Sequence, residues 1–148
     1  MTSFLEKIES NIREMRRVRI EFCRKRRQAS EYQRQEFNVW RSSSEAYDLI
    51  VFQLEKLGYI CPICQQDLNE TNATIDHLFP LSRAYHKAMD TSNFLVMCHR
   101  CNKKKYNTPF QQWRGQLARY QKNSLDYAIQ LIHGKTKLQE LIGSSSEP

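Results

Sequence analysis

Two Cys-x-x-Cys knuckles, Cys61-Pro-Ile-Cys64 and Cys98-His-Arg-Cys101, stand thirty-three residues apart in a chain of 148. This doubled spacing constrains the fold more than any other feature. Each knuckle brings two thiolates within reach of one tetrahedral ion, and four thiolates fill the coordination sphere of a structural Zn²⁺. Such a site has no open position. Its role is to pin the start of a module to the module's last helix, and metal binding then contributes folding free energy directly. Four reduced, metal-free cysteines are the bland alternative, and paired spacing argues against it. His99, inside the second knuckle, is a further nitrogen donor, whereas Cys23 stands alone in a basic stretch with no motif around it.

Between the knuckles lies Ala73-Thr74-Ile75-Asp76-His77-Leu78-Phe79-Pro80. The run reads as a strand over Thr74–Phe79, with a second strand over Phe94–Met97 and a long connection between them. Successive strand residues point to opposite faces, so one of the adjacent polar pair Asp76 and His77 is expected to be buried. Burial of such a group is costly without a partner or a metal. Asn93 precedes the second strand, and Asn102 follows the last knuckle cysteine on a helix. A zinc clamp on that helix brings Asn102 toward Asp76 across twenty-six residues of sequence. Two oxygen ligands on a rigid frame, completed by waters and a phosphate, suit Mg²⁺ or Mn²⁺.

The Asp76-His77 pair, Asn93 and Asn102, bracketed by two knuckles, resemble the HNH endonuclease family in its zinc-ribbon, ββα-metal variant. The likeness covers about Tyr59 to Pro109, a third of the chain. It implies that His77 is a general base and that Asp76 binds a single catalytic metal. It further implies that Asn93 orients the base and its loop, and that Asn102 is the second metal ligand. The motif reads H-N-N, a form that also occurs in the HNH domains of RNA-guided CRISPR nucleases. The implied activity is divalent-metal-dependent hydrolysis of DNA phosphodiester bonds, leaving a 5′-phosphate and a 3′-hydroxyl. The competing reading is a zinc-ribbon module that binds DNA or protein without cutting; it explains the cysteines and the charge but not Asp76, His77 and Asn102 together.

The flanks read as helices, so the expected class is α+β and mostly helical. Leu5, Ile8, Ile12, Met15, Val18 and Phe22 recur at steps of three and four, and no Gly or Pro precedes Gly58. Arg13–Arg27 holds eight basic residues against two acids. Three roles are open for this helix: a solvated face that packs by its apolar stripe, affinity for phosphates, or pairing with a second copy as a homodimer through that stripe. Ser42-Ser43-Ser44 marks a break and a fresh helix start, and Gly58 a stop. Phe110–Leu141 reads as helical with an interruption near Gly134. The expected parts are a basic helical extension (1–57), the nuclease core (58–109), a C-terminal helical segment (110–142) and a flexible tail (143–148).

The formal net charge is +7 and the pI about 9.3. That balance favours a polyanionic partner, here DNA. Lys103, Lys104, Lys105 and Arg83 are candidate phosphate contacts, with His86 and Arg100 as weaker ones. Phe110 and Trp113 read as core, and His133 as structural on an apolar helix face. Mean hydropathy is −0.71; no run is apolar and long enough to span a membrane, and no signal-like segment opens the chain, so a cytoplasmic location is expected.

Overall fold

A computed structural model describes residues 3–81 and 84–143. The elements run α1 (Phe4–Trp40), α2 (Ser44–Leu57), β1 (Ala73–His77), β2 (Phe94–Cys98), α3 (His99–Lys105), α4 (Phe110–Gln116), α5 (Arg119–His133) and α6 (Lys135–Gly143). The fold is α+β and mostly helical, with one small sheet. No helix among the described residues is long and apolar enough to cross a membrane.

Local chemistry sets the element ends. Ser3 and Glu6 form a reciprocal capping box at the start of α1, which satisfies two otherwise orphaned N–H groups. Ser43 caps α2 by accepting from Ala46 N at 3.2 Å. Gly58 ends that helix at φ 67°, a left-handed conformation that glycine adopts without Cβ strain. Tyr59 is also left-handed, at φ 59°, and the chain turns straight into the first knuckle, closed by the Ile60–Asp67 bridge. The C-terminal segment breaks twice. One break is at Gly134, as the sequence indicates. The other is at Leu117–Ala118, both extended, where the Ala118 N–H donates to Gln121 Oε1 at 3.0 Å and restarts the chain as α5.

β1 and β2 pair antiparallel, from Ala73 opposite Cys98 to His77 opposite Phe94. β1 stops at His77, two residues short of the expected Phe79. Beyond it the Leu78 N–H donates to Asn93 O at 2.8 Å, and the Asn93 side chain replaces the ladder at Phe79. All five residues of β2 are buried. Around this strand pack Leu54 of α2, Phe110 and Trp113 of α4, Leu125 and Ile129 of α5, and Leu138 and Leu141 of α6. Phe110 and Trp113 are thus core residues, and the C-terminal helices share one buried cluster with the hairpin. The tail beyond Gly143 lies outside the described residues.

The outer edge of β2 is closed by side chains. Buried Gln53 donates to Phe94 O at 3.0 Å and accepts from Val96 N at 2.8 Å. His133 donates through Nε2 to the same Phe94 carbonyl at 2.6 Å, the structural role expected of it. A two-stranded hairpin therefore gains, in place of a third strand, an amide from α2 and an imidazole from α5.

α1 behaves differently along its length. Leu5, Ile8, Ile12, Met15, Val18 and Phe22 are exposed, so the expected packing of the stripe is not found among the described residues. Phe37, near the C-terminal end, is buried. It meets the rings of His77 at 4.4 Å and Phe94 at 5.6 Å, while Trp40 lies 5.3 Å from Phe94. These contacts dock the last turns of α1 on the hairpin end.

Replacing Gln53 by Leu keeps the volume but orphans the Val96 N–H. The expected cost is about 1–3 kcal/mol of stability, read as a lower urea midpoint for the zinc-loaded chain. An unchanged midpoint would show that water satisfies the strand edge instead.

Candidate active site and metal centre

The four knuckle sulfurs lie within 4.8 Å of one another, and Cys64 Sγ sits 3.6 Å from Cys98 Sγ. Four sulfurs about 2.3 Å from one ion are spaced by about 3.8 Å, so the cluster fits a tetrahedral cation. Burial pushes the Cys61 and Cys101 thiols up, whereas against its own burial Cys64 is brought down to about 7 by hydrogen bonds from Gln66 and the neighbouring cysteines; a shared cation would hold all four as thiolates. Cys98 ends β2, caps α3 by accepting from Cys101 N at 3.4 Å, and supplies a ligand. His99 points elsewhere and lines the neighbouring cleft. Arg100 is exposed and sits against Cys64.

Asp76 and His77 leave β1 on opposite faces. Asp76 is 5% exposed. The ammonium of Lys105, itself fully buried, stands 3.1 Å from Oδ2 and donates to Oδ1 at 3.4 Å and to the His77 carbonyl at 2.7 Å. The Oδ2 approach is close but poorly aligned, so that oxygen has no hydrogen-bond partner. Burial raises the Asp76 carboxyl to about 6 against the opposing pull of Lys105. A buried carboxylate with an unspent oxygen is a fitting cation ligand.

Asn102 is held in one orientation. The Thr74 hydroxyl donates to Met97 O at 2.9 Å, so toward Asn102 it only accepts. Asn102 Nδ2 donates to that hydroxyl at 3.1 Å and to Ile75 O at 3.4 Å. Oδ1 is left as the acceptor facing away from these bonds, the atom a cation could take. Asp76, His77 and Asn102 all line one cleft of about 770 Å³.

His77 has its own tautomer fixed. Nε2 lies 3.0 Å from the Ala88 carbonyl. A carbonyl only accepts, so Nε2 carries the proton and Nδ1 holds the free lone pair. Burial lowers the imidazole below its ordinary value, and Lys105 and Arg34 add to the shift. The ring is therefore neutral at pH 7. Asn93, fully buried, accepts from Phe79 N at 2.8 Å and donates to Phe79 O at 3.1 Å. It fixes the segment that follows His77.

The remaining sequence candidates separate. Lys103 is exposed and lines the cleft; Lys104 is exposed outside it. Lys105 is corrected: its ammonium turns inward to Asp76 and never reaches solvent, so it is an internal counter-ion and not a phosphate contact. Arg83 lies outside the described residues, and His86 is exposed. Sequence reasoning missed Arg34, Asn38 and Arg41 of the α1 end, which line the same cleft. Their spacing puts them on one helix face, but no local signal shows that this face meets the hairpin. Nothing in the Lys103-Lys104-Lys105 run marks the third lysine as the buried one.

Removing zinc with a strong chelator, or replacing Cys98 by Ser, should abolish the cooperative thermal transition followed by circular dichroism. A melt that survives metal loss would make the knuckles dispensable. Lys105→Met strands the Asp76 charge and should destabilise the chain by about 3–5 kcal/mol, seen in urea unfolding at pH 7.

Residues 61–116 match a family model described as HNH endonuclease. The chain is 35% identical over 81 residues to the CRISPR-associated endonuclease Cas9 of Corynebacterium diphtheriae; the match covers 53% of this chain and 7% of that protein. The crystal structure of the Type II-C Cas9 enzyme from Actinomyces naeslundii superimposes with a TM-score of 0.51 at 18% identity, covering 98% of this chain and 16% of that one. The chain thus spans a small fraction of the length of either relative. The HNH recognition carried by the motif residues stands for the knuckle-and-hairpin module. Neither comparison supports a homodimer through α1.

Proposed function

We propose that this HNH-family module is a DNA endonuclease, in which His77 is the general base and Asp76 and Asn102 hold one catalytic Mg²⁺ or Mn²⁺. The knuckles hold a structural Zn²⁺ and take no part in the reaction. The convergence of the buried carboxylate, the oriented imidazole and the oriented carboxamide on one cleft carries this reading. A binding module without catalysis leaves the neutral His77 and the unspent Asp76 oxygen unexplained.

His77 receives the proton of an attacking water at Nδ1, while Nε2–H remains on the Ala88 carbonyl and holds the ring plane. Phe37 and Phe94 flank the ring and exclude rotation away from the cleft. Asn93 fixes the loop after the base, and through it the distance between base and water. A divalent ion held by Asp76 and Asn102 would supply neutralisation of the charge that develops at the phosphate. Lys105, in turn, keeps Asp76 placed and ionised against its own burial. Arg34, Arg41 and Lys103 against one paired acid suit the cleft to a phosphate polyanion, and the HNH likeness makes DNA the expected one.

The test is relaxation of supercoiled plasmid with Mg²⁺ or Mn²⁺. His77→Ala should lower the rate by about 10²–10⁴-fold while zinc content and melting stay near wild type. Intact plasmid with the wild-type chain, in conditions where it binds DNA, would refute the nuclease reading in favour of the binding module. The rate should also be flat through neutrality. The base works when unprotonated, and burial lowers its pKa, so the acidic fall begins below the ordinary histidine value of 6.5. A midpoint above 6.5 in a pH–rate profile would contradict this.

A further inference from the structure

The proposed function accounts for the wall of the cleft made by the hairpin and α3, and leaves unexplained the opposite wall made by α1. Arg34, Asn38 and Arg41 stand there, around the Phe37 ring that touches His77. Arg34 is near enough for its charge to act on the His77 imidazole. Arg27 precedes Arg34 by seven residues, as Arg34 precedes Arg41. Seven residues are two helical turns less about 20°, so the three arginines share one face. They mark a line of about 21 Å, at 1.5 Å per residue, that runs along α1 into the cleft.

What sets these three apart is their line into the cleft; Arg13, Arg16, Arg19 and Arg26 are exposed too and, among the described residues, equally without an acid partner. Arg17 and Arg24 are occupied by Glu14 and Glu21, at 3.1 and 2.6 Å. Arg27, Arg34 and Arg41 are exposed, and among the described residues none pairs with an acid, although Glu31 sits one turn from two of them. A guanidinium left unpaired presents a planar fork of donors that matches phosphate oxygens. A row of them ending at a catalytic base is arranged for a chain of phosphates and not for a single anion.

We infer that Arg27, Arg34 and Arg41 form a track for the phosphate backbone of a DNA strand as it enters the cleft, so that the end of α1 is part of the substrate site. This rests on the nuclease reading and adds the path of the substrate to it. α1 then has a divided role: its last turns build the cleft, and the row continues the cleft outward along the helix.

The experiment measures fluorescence anisotropy of a labelled single-stranded oligonucleotide on the full zinc-loaded chain carrying His77→Ala, across a salt series. Adding Arg27→Gln, Arg34→Gln and Arg41→Gln should reduce the slope of log K against log salt by about 2, which is about 0.7 for each phosphate no longer neutralised. A matched variant with Lys7→Gln, Arg17→Gln and Lys25→Gln removes three charges from other faces of α1 and should leave the slope near its starting value. In the active chain the arginine variant should raise KM while kcat holds. An equal fall in slope in both variants, or a fall in neither, overturns the track while plasmid cleavage by the wild type keeps the nuclease reading. A wild-type chain that neither binds nor cuts DNA overturns both.

Discussion

The site depends on a single junction at Cys98. That residue ends β2, caps α3 and donates one of four sulfurs to the knuckle cluster. A strand and a helix joined without a linker have little angular freedom, and an ion shared by the four sulfurs would remove what is left. The position of Asn102 over β1 follows from this, because it lies one residue past the last knuckle cysteine. So does the burial of Lys105, three residues further along the same helix, against Asp76. The module holds the side chains of the proposed site with little hydrophobic core of its own, and the knuckle substitutes for the layers a larger domain would use.

A second constraint comes from outside the matched module. α2 and α5 supply Gln53 and His133 to the free edge of β2, and the end of α1 supplies Phe37 and Trp40 to the rings around His77. The hairpin is thus buried by its flanks from both directions. The His77 ring is held on one side by the Ala88 carbonyl and on the others by aromatic faces. Its environment is dry enough to keep it neutral and open enough, through the cleft, to meet a phosphate. The electrostatic design is asymmetric: one acid, internally compensated, against several cations at the rim.

What could be read from the amino acids was whatever a local pattern encodes. The knuckles, the Asp76-His77 pair and the two asparagines carry their chemistry in residue type and spacing, and the structure brings them together. Ser43 and Gly58 announce the ends of α2. The illegible parts depend on which surfaces meet across long separations. Lys105 looks the same as Lys103 and Lys104 until α3 is laid on the hairpin. Gln53 reads as an ordinary polar residue in an amphipathic helix, yet it is buried because a strand edge forty-three residues away needs its amide. The stripe of α1 has a helical period but stays exposed among the described residues, since periodicity reports a helix and not what the helix touches. The break at Leu117–Ala118 has no Gly or Pro to mark it.

The closure of β2 by Gln53 has a further consequence. An uncovered strand edge is a template on which another extended segment can add, and natural proteins hide or blunt such edges. Here the protection is lent by a helix from a different stretch of chain, not built into the strand as a charge or proline. A fragment trimmed to the matched motif alone would lose Gln53 and His133 and so bare the Val96 N–H and the Phe94 carbonyl beside the apolar face of β2. Recombinant pieces of this kind would be prone to self-association through strand addition, even where every catalytic side chain is retained.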